Sequence, residues 1–156
     1  MTSSDLAAFI RENGIRAEIV RPDAPTPTVE AAAAAVGTTP ERIIKSVLFL
    51  VRDHPVLAIA GGLEPVDERA IAARFEVGRR QVKLAGAADV ERVTGYPVGG
   101  VPPFGHPQPV STLIDPAVLA QPVVYGGGGD HKTLIRLSPE EIRRVTGAEI
   151  VSLTGR

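Results

Sequence analysis

The 156-residue chain contains no cysteine. That excludes disulfides, thiolate metal sites and a cysteine nucleophile. Tryptophan is absent too, and aromatic residues make up only 4% of the chain. A core must therefore rest on Val, Leu, Ile and Ala. No charge dominates: 17 Lys and Arg face 18 Asp and Glu, for a formal net charge of −1. A basic coat for extended nucleic-acid contact is missing, so any contact with RNA is expected to be local, at one end of the molecule. Long hydrophobic runs are also lacking. The stretch Ser46 to Val51 is far too short to span a bilayer. Met1 to Arg11 is polar and interrupted by Asp5 and Arg11, unlike a secretory leader. The expectation is a cytoplasmic chain with no membrane contact.

What is present is ordinary for a globular protein: 44% hydrophobic and 22% charged residues. The length suits one domain over residues 1–156. Ser4 reads as the cap of a helix over 5–13, closed by Gly14. Residues 16–21 read as a strand, followed by an extended loop at Pro22, Pro25 and Pro27. Thr28 reads as the cap of a helix over 29–36, whose alanine run 31–35 suits close packing. A strand over 43–52, a turn at Asp53 and His54, and a strand over 55–60 follow. Further helices are expected over 64–74 and 87–93. Short strands are expected over 79–84, 110–114, 123–125 and 133–137. Ser138 caps a last helix that ends near Gly147, and 149–153 reads as a closing strand. The elements mix without a regular βαβ rhythm. This predicts an α+β fold with a mixed, mostly antiparallel sheet.

Lys45 is the most unusual single residue. In the predicted strand it shares a face with Ile43, Val47, Phe49 and Val51. A lysine in so apolar a strand must face a polar cavity, pair with a carboxylate, or mark a sheet edge where it snorkels. In a cavity it would suit an anionic or carbonyl-bearing ligand. Ser46 points to the other face as a small polar strand residue, and reaches a ligand only if the strand twists or bulges.

Two glycine-rich stretches follow. In Gly95–Gly105 the glycines permit close backbone approach and the prolines stiffen the loop. It could present two amides to an ester oxygen, and a plain Gly/Pro turn accounts for it equally well. It is no P-loop, because the closing Gly-Lys-Ser/Thr is missing. In Gly126–Thr133, four glycines read first as a flexible hairpin or bulge. Asp130 and His131 follow them, but neighbours on a strand point opposite ways. The histidines at 54, 106 and 131 are far apart and show no metal-ligand spacing. No Gly-x-Ser-x-Gly elbow exists, and nothing calls for a cofactor. Arg79, Arg80, Lys83, Arg143 and Arg144 are candidate phosphate contacts or simply a solvated face.

Taken together and in this order, Thr39-Pro40-Glu41-Arg42-Ile43-Ile44-Lys45-Ser46-Val47-Leu48-Phe49 and Gly95-Tyr96-Pro97-Val98-Gly99-Gly100-Val101-Pro102-Pro103-Phe104-Gly105 resemble the YbaK/ProX group. That group comprises free-standing aminoacyl-tRNA editing domains related to the insertion domain of bacterial prolyl-tRNA synthetases. The resemblance runs from about Thr28 to Val151. It implies a mixed sheet or partial barrel flanked by helices, and hydrolysis of a mischarged tRNA, typically tRNA for proline carrying a small wrong amino acid such as alanine or cysteine. It implies a tRNA acceptor end as partner, with prolyl-tRNA synthetase as a further candidate. Lys45 matches the group's strand lysine, which helps hold the terminal nucleotide and the ester. Gly99, Gly100, Val101 and Pro103, followed by Phe104 and Gly105, match the loop that shapes the amino-acid pocket and offers amides. Ser46 falls where members vary among small polar residues. Asp130 and His131 lie near a region that lines the pocket in some members. Cysteine-specific members carry Tyr where this chain has Val20, and alanine-specific members often carry Asn where it has Ser46, so neither specificity follows. The same residues would also serve a non-catalytic module binding an aminoacyl-tRNA end or nucleotide-like ligand, or a small-molecule esterase.

Overall fold

A computed structural model describes residues 1–154. The chain begins with α1 (Ser3–Glu12) and β1 (Ala17–Val20), followed by α2 (Val29–Val36). A hairpin of β2 (Ile44–Val51) and β3 (His54–Gly61) leads into α3 (Glu68–Phe75), β4 (Val82–Leu84) and α4 (Ala87–Thr94). Then come β5 (Ser111–Ile114), α5 (Pro116–Leu119), β6 (Val124–Gly127), β7 (Leu134–Leu137), α6 (Pro139–Thr146) and β8 (Glu149–Ile150).

The strands form two sheets, of order β4-β2-β3-β5-β8 and β1-β7-β6. The smaller sheet is antiparallel. The larger is antiparallel at β4-β2-β3 and parallel at β3-β5 and β5-β8. A parallel bridge from Ile43 to Tyr125 ties the two sheets together at the start of β2. The fold is the mixed α+β class that the irregular rhythm predicts, with helices flanking the sheets.

Alternation along β2 divides the core. Ile44 and Leu48 face the main apolar cluster, shared with α1, α4 and α6. Phe49 and Val51 face a second cluster beneath α3. Ala32 and Ala33 pack on Ile43 and Leu134 in a third, so the alanine run of α2 does permit close packing.

Local differences from the sequence reading have physical causes. Helix α1 starts earlier because Thr2 is its cap, with the Asp5 carboxylate accepting from the Thr2 amide at 2.7 Å. Ser4 therefore lies inside the first turn. The β2–β3 turn is Arg52–Asp53, both at positive φ, and His54 already pairs with Val51. A two-residue turn of that shape matches the twist of the flanking strands. Helix α3 starts at Glu68 because Asp67 caps it, accepting from Arg69 N at 2.9 Å. Residues 79–81 form a 3-10 turn before β4. The short helix α5 is not predicted from the sequence, although Asp115 caps it and Pro116 opens it.

Candidate active site

A cavity of about 370 Å³ opens at the free edge of β2. Strand β4 covers β2 only from Phe49 to Val51. The Ile44–Val47 half of that edge is therefore left to the cavity, whose walls come from Thr26–Val29, Ala32, the turn at Gly99 and the glycines of β6. Thr28 shapes this wall by capping α2, its hydroxyl accepting from Ala31 N at 3.0 Å.

Lys45 and Ser46 both line the cavity. The half-buried Lys45 ammonium donates to the Glu64 carbonyl at 2.7 Å. No ion pair among the described residues includes it. Burial pushes its pKa down, because desolvation disfavours the charged form. The result is a cation that the Glu64 carbonyl steadies and that pairs with no carboxylate among the described residues. The Ser46 hydroxyl oxygen is buried and has no hydrogen-bond partner among the described residues.

The same cavity takes in the turn from Pro97 to Gly100, closed by Gly100 N donating to Pro97 O at 2.9 Å. Gly99 sits at φ +89°, a conformation that favours glycine. Gly99 and Val101 line the cavity. The Gly100 amide is spent on closing the turn, and its carbonyl accepts from Gly129 N at 2.8 Å. Pro103, Phe104 and Gly105 lie behind the lining. Phe104 is buried and stacks on Phe9, ring centres 5.9 Å apart. Gly105 packs on the same Phe9 ring, and Pro103 packs near Gly126.

The four-glycine run is the platform beneath this turn. A Cβ on Gly127 would come within 2.3 Å of the Val101 carbonyl oxygen, and one on Gly100 within 2.9 Å of Asp130 N. A Cβ on Gly129, at φ +105°, would meet Ser3 N at 2.9 Å. The two loops thus stack backbone on backbone, with the start of α1 against the far side. The expected flexible hairpin is replaced by a close-packed one, and the signal lay in the consecutive glycines.

Asp130 lines the cavity, whereas His131 lies beside it, its ring 3.0 Å from where a Gly99 Cβ would stand. Asp130 Oδ1 accepts from Lys132 N at 2.8 Å and Thr133 Oγ1 at 2.7 Å. Burial would raise its pKa, but those two hydrogen bonds and the nearby Arg21 and His131 hold it below the usual carboxylate range. His106 hydrogen-bonds the Pro102 carbonyl at 2.9 Å, and His54 is exposed on the hairpin. Among the described residues no cluster of His, Cys, Asp or Glu could hold a metal. Of the candidate phosphate contacts, Arg79 pairs with Glu68, Arg143 with Glu140 and Arg144 with Glu141.

Residues 23–145 match the family model described as an aminoacyl-tRNA editing domain. The chain belongs to that family. The matched span carries Lys45, the Gly99 turn and the glycine platform. Against EbsC of Enterococcus faecalis, named as a candidate Cys-tRNA(Pro)/Cys-tRNA(Cys) deacylase, the editing domain is 25% identical over 128 residues, 81% of this chain and 77% of the other. It is 28% identical over 88 residues to a Thermoanaerobacter proline–tRNA ligase, covering 56% of this chain but 15% of that longer one. A crystal structure described as a candidate trans-editing enzyme for prolyl tRNA synthetase superposes with a TM-score of 0.91 at 28% identity, covering 99% and 97% of the two chains. Among the described residues, no helix of the editing domain is long and apolar enough to cross a membrane.

Proposed function

We propose that this editing domain is an aminoacyl-tRNA deacylase acting on tRNA for proline that carries a small non-cognate amino acid. The observation that carries the reading is the half-buried Lys45 ammonium, paired with no carboxylate among the described residues, in one cavity with the Gly99 turn. Family membership supplies the reaction class. The names of EbsC and of the structural neighbour support tRNA for proline.

The ester linking an amino acid to the terminal ribose is already activated, so positioning and electrostatics suffice. Lys45 binds the phosphate or ribose side of the terminal nucleotide. The amides of Gly99 and Val101 polarise the ester carbonyl; the Gly100 amide is committed to its own turn. A water held beside the vicinal ribose hydroxyl attacks, and the acyl–oxygen bond breaks to release the amino acid and the tRNA hydroxyl. Ala32, Ala85 and Gly126 line the cavity, and walls of small residues suit a small side chain. Ser46 and Asp130 contribute to substrate binding from the same walls, and His131 supports the turn. Gly100, Pro103, Phe104 and Gly105 act by holding the turn in place.

A panel of tRNAs charged with alanine, cysteine and proline tests the proposal. Release of alanine or cysteine from tRNA for proline, with the correctly charged prolyl-tRNA spared, supports it. Tight binding without turnover would make the chain a binding module. Turnover of free aminoacyl esters without RNA would make it an esterase.

A further inference from the structure

Among the described residues, five large hydrophobic side chains are strongly exposed: Met1, Leu63, Leu84, Val98 and Ile150. Two of these, Leu84 at 64% and Val98 at 54%, line the same cavity as Lys45. Single exposed apolar residues need no explanation. A pair converging on one cavity from separate elements is a different matter. Leu84 is the last residue of β4, and its neighbour Ala85 is buried. Val98 stands in the turn closed by the Pro97–Gly100 hydrogen bond. The turn geometry fixes where Val98 stands, so the apolar lip is a built feature of the cavity.

A cavity with a half-buried ammonium and an apolar lip complements a nucleotide. Phosphate and ester oxygens seek the cation, and a base offers a flat face that apolar side chains cover. We infer that Leu84 and Val98 form the platform on which the base of the substrate's terminal nucleotide lies. The identification of that nucleotide as the 3′-terminal adenosine of a tRNA rests on the deacylase reading above. Contact with the face of a base gives affinity without reading its hydrogen-bonding edge. Such contact fits a nucleoside that is the same in every tRNA, and it leaves discrimination to the amino-acid pocket.

Equilibrium titration tests the platform without any turnover. The probes are adenosine 5′-monophosphate and ribose 5-phosphate, in which an anomeric hydroxyl stands in place of the base. The intact chain should bind the first at least about tenfold more tightly than the second. The double variant Leu84→Ala, Val98→Ala should lose about tenfold for adenosine 5′-monophosphate and nothing for ribose 5-phosphate. Both side chains are exposed, and a thermal melt confirms the variant's fold. Unchanged affinity of the variant for adenosine 5′-monophosphate overturns the platform, as does equal binding of the two probes by the intact chain. A base-dependent loss in a chain that hydrolyses no aminoacyl-tRNA would retain the platform and remove the deacylase reading. With mischarged tRNA, the variant should raise KM and leave kcat unchanged; a fall in kcat alone contradicts the platform.

Discussion

Gly127 lies so close to Val101 that a Cβ on it would fall 2.3 Å from the Val101 carbonyl oxygen. The relationship joins the two glycine-rich segments into one rigid wall. The atom to be displaced is backbone, so a side chain at 127 must shift the Gly100–Val101 backbone and with it the Gly99 turn. Gly127→Ala should destabilise the fold by about 2 kcal/mol or more and sharply lower deacylation. Gly78→Ala is the control, since nothing lies within 4 Å of its Cβ position and its φ is −69°. It should change stability by less than about 0.5 kcal/mol. Urea titration of both variants distinguishes the outcomes.

Lys45 must be protonated to hold an anionic group, and burial lowers its pKa. Its charge is therefore lost as pH rises, beginning below the ordinary lysine value of about 10.4. KM for aminoacyl-tRNA should climb with rising pH in that range, after correction for spontaneous ester hydrolysis. A KM that stays flat up to the ordinary lysine value would separate Lys45 from substrate binding.

Thr28 caps α2 beside the cavity. Thr28→Ala should cost about 1 kcal/mol of stability. It should also raise KM, because the first turn of α2 forms one wall. Thr28→Ser keeps the acceptor oxygen and should restore both. A KM unaffected by Thr28→Ala would remove this wall from the binding site.

Glu141 tests stability rather than catalysis. Its carboxylate accepts from Arg144 Nε at 2.8 Å and Arg144 Nη2 at 2.9 Å, and from Arg16 N at 2.8 Å. Arg144 first, then the Arg16 amide, draw its pKa down to about 2. A depressed carboxylate stabilises the fold above its unfolded pKa of about 4.3. That contribution is lost as pH falls towards about 2. Glu141→Gln should cost about 1 kcal/mol at neutral pH, and the difference from the parent chain should vanish in acid. An equal deficit at both pH values would show that the loss is one of packing.

Much of this was legible in the residues themselves. Thr28 and Ser138 announce their helices through side-chain oxygens that cap locally. Lys45 announces itself because an ammonium in an apolar strand demands a reason. Its resolution could not be read from the sequence. The Glu64 carbonyl that holds it belongs to the loop between β3 and α3, 19 residues from Lys45, and comes near only once β2 and β3 pair. The four glycines look like flexibility until the partner backbone at Val101, Asp130 and Ser3 is known. Leu84 and Val98 could equally be core residues on paper, because exposure is decided by which strands stop short. Helix α5 is only one turn long, too short for periodicity to reveal, and its cap Asp115 also accepts from Leu153 N at 2.7 Å.

On the proposed function, Lys45 and the Gly99 turn form one deacylation site. Its most direct test is the rate at which the intact chain and Lys45→Ala release alanine or cysteine from mischarged tRNA for proline, with thermal melts run alongside. Rapid release by the intact chain, a fall of about a hundredfold or more in the variant, and an unchanged melting midpoint are the predicted results. Full activity in a folded Lys45→Ala variant would contradict a deacylation site built on Lys45.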